Sequence, residues 1–216
     1  MSVLTRIRHP HTNGNGSTTT KAARPSPEVR RAPAEEAEPS GGAAVRPTGW
    51  LAALRVATGF VFLWAFLDKT FGLGYATQSE NAWINGGSPT RGFLSGVAVG
   101  PLEGTFHAWA GDTWADWLFM VGLAAIGVAV ILGVGLRLAA VAGTAMMALM
   151  WAAEWPLAEH TSAGDPSLST NPLVDHHVIY AVALIAIAVT HAGDRWGFGR
   201  IWARIPIVRR YYGVLQ

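Results

Sequence analysis

The chain has 216 residues, of which 50% are hydrophobic and 14% charged, with a formal net charge of +2. So near-neutral a balance offers no footprint for nucleic acid, and the absence of cysteine excludes disulfides, CxxC redox pairs, thiolate-held zinc and iron–sulfur clusters. Mean hydropathy is +0.27 even with a strongly polar first stretch, so the rest of the chain has the composition of a membrane protein.

Residues 1–48 are rich in Pro, Gly, Ser, Thr, Ala and charge and almost lack aromatics. Such a segment buries too little apolar surface to offset the entropy of ordering, and it is predicted to be a disordered tail. No apolar run follows Arg6 and Arg8, so it is not read as a signal peptide.

The character changes at Trp50. Four mostly apolar runs follow, at about 50–68, 117–136, 138–157 and 176–193. They predict an all-α, polytopic, four-transmembrane-helix bundle over 49–196, with a tight hairpin at Arg137 between the second and third spans. Arginines in the tail, at Arg137 and after Arg195 fall on one side of this arrangement. Most of the acidic residues between spans, among them Glu80, Glu103, Asp112 and Asp165, fall on the other. The positive-inside rule then predicts a multi-pass inner-membrane protein with both ends in the cytoplasm.

Between the first two spans lies a long outer loop, about 70–116. Its WINGGSPT and RGFLSGVAVGPL segments read as turns followed by an apolar stretch too short to cross the bilayer. Basic and aromatic residues alternate through 197–216, which predicts an interfacial segment on the cytoplasmic surface.

Ionisable residues within spans are costly and each needs a reason. In the first span Arg55, Gly59, Phe62, Phe66 and Lys69 share a stripe on which Gly59 would admit a neighbouring helix or a flat ring. Arg55 and Lys69 also suit snorkelling to opposite head-group layers. Glu154, flanked by Trp151 and Trp155, ends the third span, and Asp175, His176, His177 and Tyr180 open the fourth.

With Asp68, these groups are expected to converge at the outer leaflet. A carboxylate beside two histidines has metal-ligating chemistry, but the spacing is not diagnostic and a proton-handling cluster is the preferred reading, with no metal assigned. Glu154, His177 and Asp68 are the candidate catalytic residues. Arg55, Lys69, Trp155, His176 and Tyr180 are the candidates for holding a quinone head group or a small anion. Lys69 is expected within salt-bridge reach of Glu154 or Asp175, because the three share a depth. No haem, flavin, dinucleotide, Walker or nucleophile-elbow motif is present.

The runs RVATGFVFLWAFLDKTFGLG, AWINGGSPTRGFL, DWLFMVGLAAIGVAVILGVGLRLAA and NPLVDHHVIYAVALI resemble the DoxX/DoxD family of membrane proteins, over about 50–200. The DoxD-like branch is the small membrane subunit of thiosulfate:quinone oxidoreductase. The resemblance implies a four-helix membrane subunit that uses quinone as substrate, oxidises a small sulfur anion such as thiosulfate and works with a partner subunit. It leaves room for a homo-oligomer. A non-catalytic scaffold of an oxidative-stress or sulfur-metabolism complex is the alternative.

Overall fold

The computed structural model describes residues 49–167 and 169–215, and the expected disordered tail lies outside them. Among the described residues the fold is all-helical, with one isolated antiparallel bridge between His160 and Pro166 and no strand. Helix α1 spans Gly49–Phe71. The connection that follows holds two short turns of 3-10 helix, then α2 (Arg91–Ser95) and α3 (Glu103–Trp109). Helices α4 (Thr113–Leu132), α5 (Leu136–Glu154) and α6 (His176–Val189) complete the bundle. Three short helices follow: α7 (Gly199–Trp202), α8 (Pro206–Arg210) and α9 (Tyr212–Leu215).

Helices α1, α4 and α5 have 23, 20 and 19 residues, each long and apolar enough to cross a membrane. Their outward faces present Leu54, Phe60, Leu118, Val121, Val141 and Leu149 to the surroundings. Water would penalise so much exposed apolar surface and a hydrocarbon layer would not, so these are the features of a membrane protein. The fourth apolar helix, α6, has 14 residues. At 1.5 Å per residue it is about 21 Å long, against roughly 30 Å for the hydrocarbon layer.

The helix boundaries have local causes. Helix α4 stops at Leu132, earlier than the apolar run suggests. Gly133 takes a left-handed conformation (φ 72°) and turns its N–H back to the carbonyls of Ala129 and Val130. Helix α5 ends at Glu154, where Trp155 is left-handed (φ 40°) and Pro156 cannot continue the helix. Helix α6 starts at His176, just after Asp175, whose carboxylate accepts the N–H of Val178 at 3.1 Å and caps the first turn.

The helices pack mainly as two pairs, α1 with α4 and α5 with α6. In the first pair the backbones nearly touch. A Cβ on Gly59 would lie 2.9 Å from the backbone N of Ile131, and one on Gly127 would lie 2.7 Å from that of Leu63. The neighbour that Gly59 admits is therefore α4. Phe62, Met120, Ile126, Val130, Met147 and Leu184 join the pairs into one core.

The segment between α1 and α4 folds over one end of this core. Val97 and Phe106 bury against Ala153 of α5, with Phe93 and Trp109 packed alongside. Buried Asp116, in the first turn of α4, fastens the segment by accepting hydrogen bonds from Thr90 N–H (2.9 Å), Thr90 Oγ1 (2.6 Å) and Ser88 Oγ (2.9 Å). At the opposite end of the core, Arg137 donates to the carbonyl of Gly213 and Trp202 Nε1 to that of Leu215, so the C-terminal helices fold back rather than run on as one helix.

Candidate functional site

The expected site residues fall into three groups. Arg55 stands apart. It is fully buried and donates to the carbonyls of Val130 (2.7 Å), Ile131 and Trp196 (2.8 Å), with a longer contact to Arg195 (3.4 Å). Two of these acceptors are in the last turn of α4, where the helix dipole favours a cation, and Val130 accepts Arg55 beside the Gly133 N–H. The side chain therefore ties α1 to the end of α4 and to the 195–196 backbone. It lies at the far end of the bundle from Glu154, separated by about 28 Å, the length of α5. The structure does not bring it to the other candidates.

Asp68 is also engaged with backbone. Its side chain is buried and accepts the N–H groups of Tyr75 (3.3 Å) and Ala76 (3.0 Å), fixing the turn that leaves α1. The chain reverses at Gly72, which is left-handed (φ 64°) and returns its N–H to the Asp68 carbonyl at 2.8 Å.

Lys69 does not pair with Glu154 or Asp175. Both of those carboxylates meet His177 instead, in ion-pair contacts at 3.8 Å for Glu154 and 2.8 Å for Asp175. The sequence pattern establishes the depth of Lys69 but not which helix it faces, and the pairing of α1 with α4 turns it toward Phe119. Its ammonium lies 5.9 Å from the centre of that ring, a cation–π distance. There Lys69 edges a cavity of about 430 Å³ between α1, α4, α5 and the overlying segment. Phe93, Trp109, Leu118, Phe119, Met146 and Met150 form much of its wall, and among the described residues Lys69 is the one charged residue in it. On α5, Met147 enters the core, while Met146 and Met150 pack against that core and line the cavity.

Glu154, Asp175, His176 and His177 do converge. Their ligand atoms lie within 4.8 Å of one another. His177 is 1% exposed and directs Nδ1 to Asp175 Oδ2 at 2.8 Å and toward Glu154 Oε2 at 3.8 Å. The His176 ring packs against the His177 ring with centres 3.9 Å apart, and Tyr180 meets His176 edge-on at 6.1 Å. Burial works against the Asp175 carboxylate, but hydrogen bonds from His177 and the Val178 N–H, with both imidazoles nearby, hold it below its ordinary value. Trp155 is adjacent but contributes its ring to Trp151, 5.6 Å away. Chemically, the four groups can hold a shared proton or a cation between two carboxylates.

This cluster opens on a second cavity, of about 570 Å³, to which Thr161, Ser167, Ser169 and Asn171 add polar groups. The sequence reading passed over these residues. Asn171 accepts the N–H groups of Leu173 (2.9 Å) and Val174 (3.0 Å), which sets the approach to α6, and NPLVD is a recognisable turn-and-cap pattern. Phe93 and Ala153 line both cavities, so the polar and apolar spaces lie one residue apart.

Compared with known proteins, the chain matches no family model, no curated protein and no solved structure. The DoxX/DoxD resemblance rests on the motifs quoted above.

Proposed function

We propose that the apolar cavity beside Lys69 receives the head group of a membrane quinone, and that the chain is the membrane subunit of a quinone-linked oxidoreductase of the DoxX/DoxD type. The observation that carries this reading is a slot with aromatic walls and a single cation at its edge. A quinone ring is flat and apolar and needs a flat apolar space, while its carbonyls need a donor. The Lys69 ammonium is that donor, and Phe93, Trp109 and Phe119 supply ring-sized walls. A head group entering from the hydrocarbon layer leaves its chain in lipid.

In this reading α6, extended by the turn at Ala192–Asp194, makes the fourth crossing, and both ends of the chain lie in the cytoplasm of an inner-membrane protein. The electrons come from a small sulfur anion such as thiosulfate, by way of a partner subunit. Two thiosulfates joined through a new S–S bond release two electrons, and the quinone takes these with two protons to become the quinol. A scaffold reading has its own support, because Arg55 and Asp68 both spend their hydrogen bonds on backbone.

Quinone binding separates the two. In purified protein in lipid nanodiscs, a short-chain quinone analogue is expected to quench tryptophan fluorescence, since Trp109 and Trp114 line the cavity. Lys69→Met should weaken binding about tenfold, the value of one hydrogen bond from a charged donor. Binding that is absent, or unchanged in Lys69→Met, favours the scaffold.

A further inference from the structure

We infer that Glu154, Asp175, His176 and His177 form a binding site for a divalent first-row transition-metal ion of the zinc, iron or manganese kind. The inference stands independently of the quinone reading. Four donors around an ion with bonds of about 2.0–2.2 Å stand about 3.3–3.6 Å apart, and opposite donors of a six-coordinate ion about 4.2 Å apart. The four donor atoms here all fall within 4.8 Å. Small side-chain rotations close the remaining gap, and both outer members, Glu154 and His176, are exposed and free to make them.

The donor set selects the class of ion. Two imidazoles with two carboxylates suit borderline divalent ions. Magnesium and calcium prefer oxygen alone, and no thiolate is present to favour copper(I). Charge points the same way. Two carboxylates meet where, among the described residues, no lysine or arginine makes an ion pair with either. With both imidazoles neutral the cluster carries two negative charges, which one dication cancels. The ion would take the place of the proton that His177 Nδ1 shares with Asp175.

The surroundings hold Asp175 in place, as supporting contacts do for a metal ligand. Asp175 is fixed through its other oxygen by the Val178 N–H, and the backbone leading to it is held by Asn171 and by Trp151 Nε1, which donates to the Leu173 carbonyl at 3.2 Å. Buried His177 supplies a rigid inner ligand. Exposed Glu154 and His176 supply an entry path, and the adjoining 570 Å³ cavity leaves room for water or an anionic ligand on the open side.

The test uses the purified full-length protein, stripped with a chelator and titrated with Co2+. The visible ligand-field bands follow binding, and total metal is measured after desalting with Zn2+. The expected result is stoichiometric Co2+ binding with bands of nitrogen–oxygen coordination, displaced by Zn2+. Glu154→Gln and His176→Ala should each weaken it by about tenfold or more, the minimum seen even for losing a supporting contact. Both side chains are exposed, and size-exclusion profiles confirm that the variants remain folded. No retained metal overturns the proposal and leaves a shared proton in the cluster. Unchanged affinity in both variants also overturns it, because the metal then sits on other groups such as His9 and His11. Quinone quenching on the same samples reports separately on the cavity at Lys69.

Discussion

Arg55→Ala is expected to lower the stability of the bundle by about 3–5 kcal/mol, the range seen when a large buried side chain is truncated. The loss has two parts. The removed guanidinium leaves a cavity beneath α1, and it strands the carbonyls of Ile131 and Trp196, each costing about 1–3 kcal/mol unless water reaches it, while the Val130 carbonyl keeps the Gly133 N–H. Arg55→Lys keeps the charge at the end of α4 but cannot direct donors to α4 and the 195–196 backbone together, so an intermediate loss is expected. Thermal unfolding in detergent, followed by tryptophan fluorescence, orders the three proteins. Equal midpoints for wild type and Arg55→Ala would show that this side chain is not the tie the geometry makes it. Since Arg55 lies far from Lys69, quinone affinity in the remaining folded fraction should be unchanged.

The second large effect belongs to the α1–α4 crossing. Gly127→Val puts a branched side chain where even a Cβ would stand 2.7 Å from the backbone N of Leu63. Backbone cannot move aside as a flexible side chain does, so the helices must separate. The expected cost is at least the roughly 1–3 kcal/mol of ordinary overpacking. Separation also disturbs the packing of Phe62 against Met120 and Ile126. Gly104→Ala is the matched control. It lies in α3, nothing stands within 4 Å of its would-be Cβ, and alanine there should be neutral or slightly stabilising. A Gly127→Val protein as stable as the control would contradict the close crossing.

These two positions also show what sequence can and cannot reveal here. The apolar runs disclosed α1, α4 and α5, because a lipid-facing helix is apolar on every side and length alone identifies it. Their ends were less legible. Gly133 sits inside an unbroken apolar run, and only its left-handed backbone shows that α4 stops there. The role of Gly59 was partly legible, since a glycine in a span invites close approach, though not which partner would come.

Among the site residues, the cluster at Asp175, His176 and His177 was legible because three members are consecutive and the depth of Glu154 follows from helix rise. Arg55 was opaque for the opposite reason: its acceptors lie 75 to 141 residues away, and nothing local points to them. The expected pairing of Lys69 with Glu154 failed on direction rather than depth. Rise per residue gives height along a helix, but which helix stands beside which depends on packing, and here α1 faces α4.

The most direct test of the proposed quinone site is photoaffinity labelling. An azido-quinone is activated in nanodiscs containing the full-length protein, and the modified peptides are mapped by mass spectrometry. Label is expected on residues that line the Lys69 cavity, among them Phe119, Met146 and Met150, and it should fall in the presence of excess unlabelled quinone. Label confined to outward-facing residues away from the cavity, such as Phe60, Val121 and Val141, and undiminished by competitor, would mean that the quinone only dissolves in the surrounding lipid and would contradict the account.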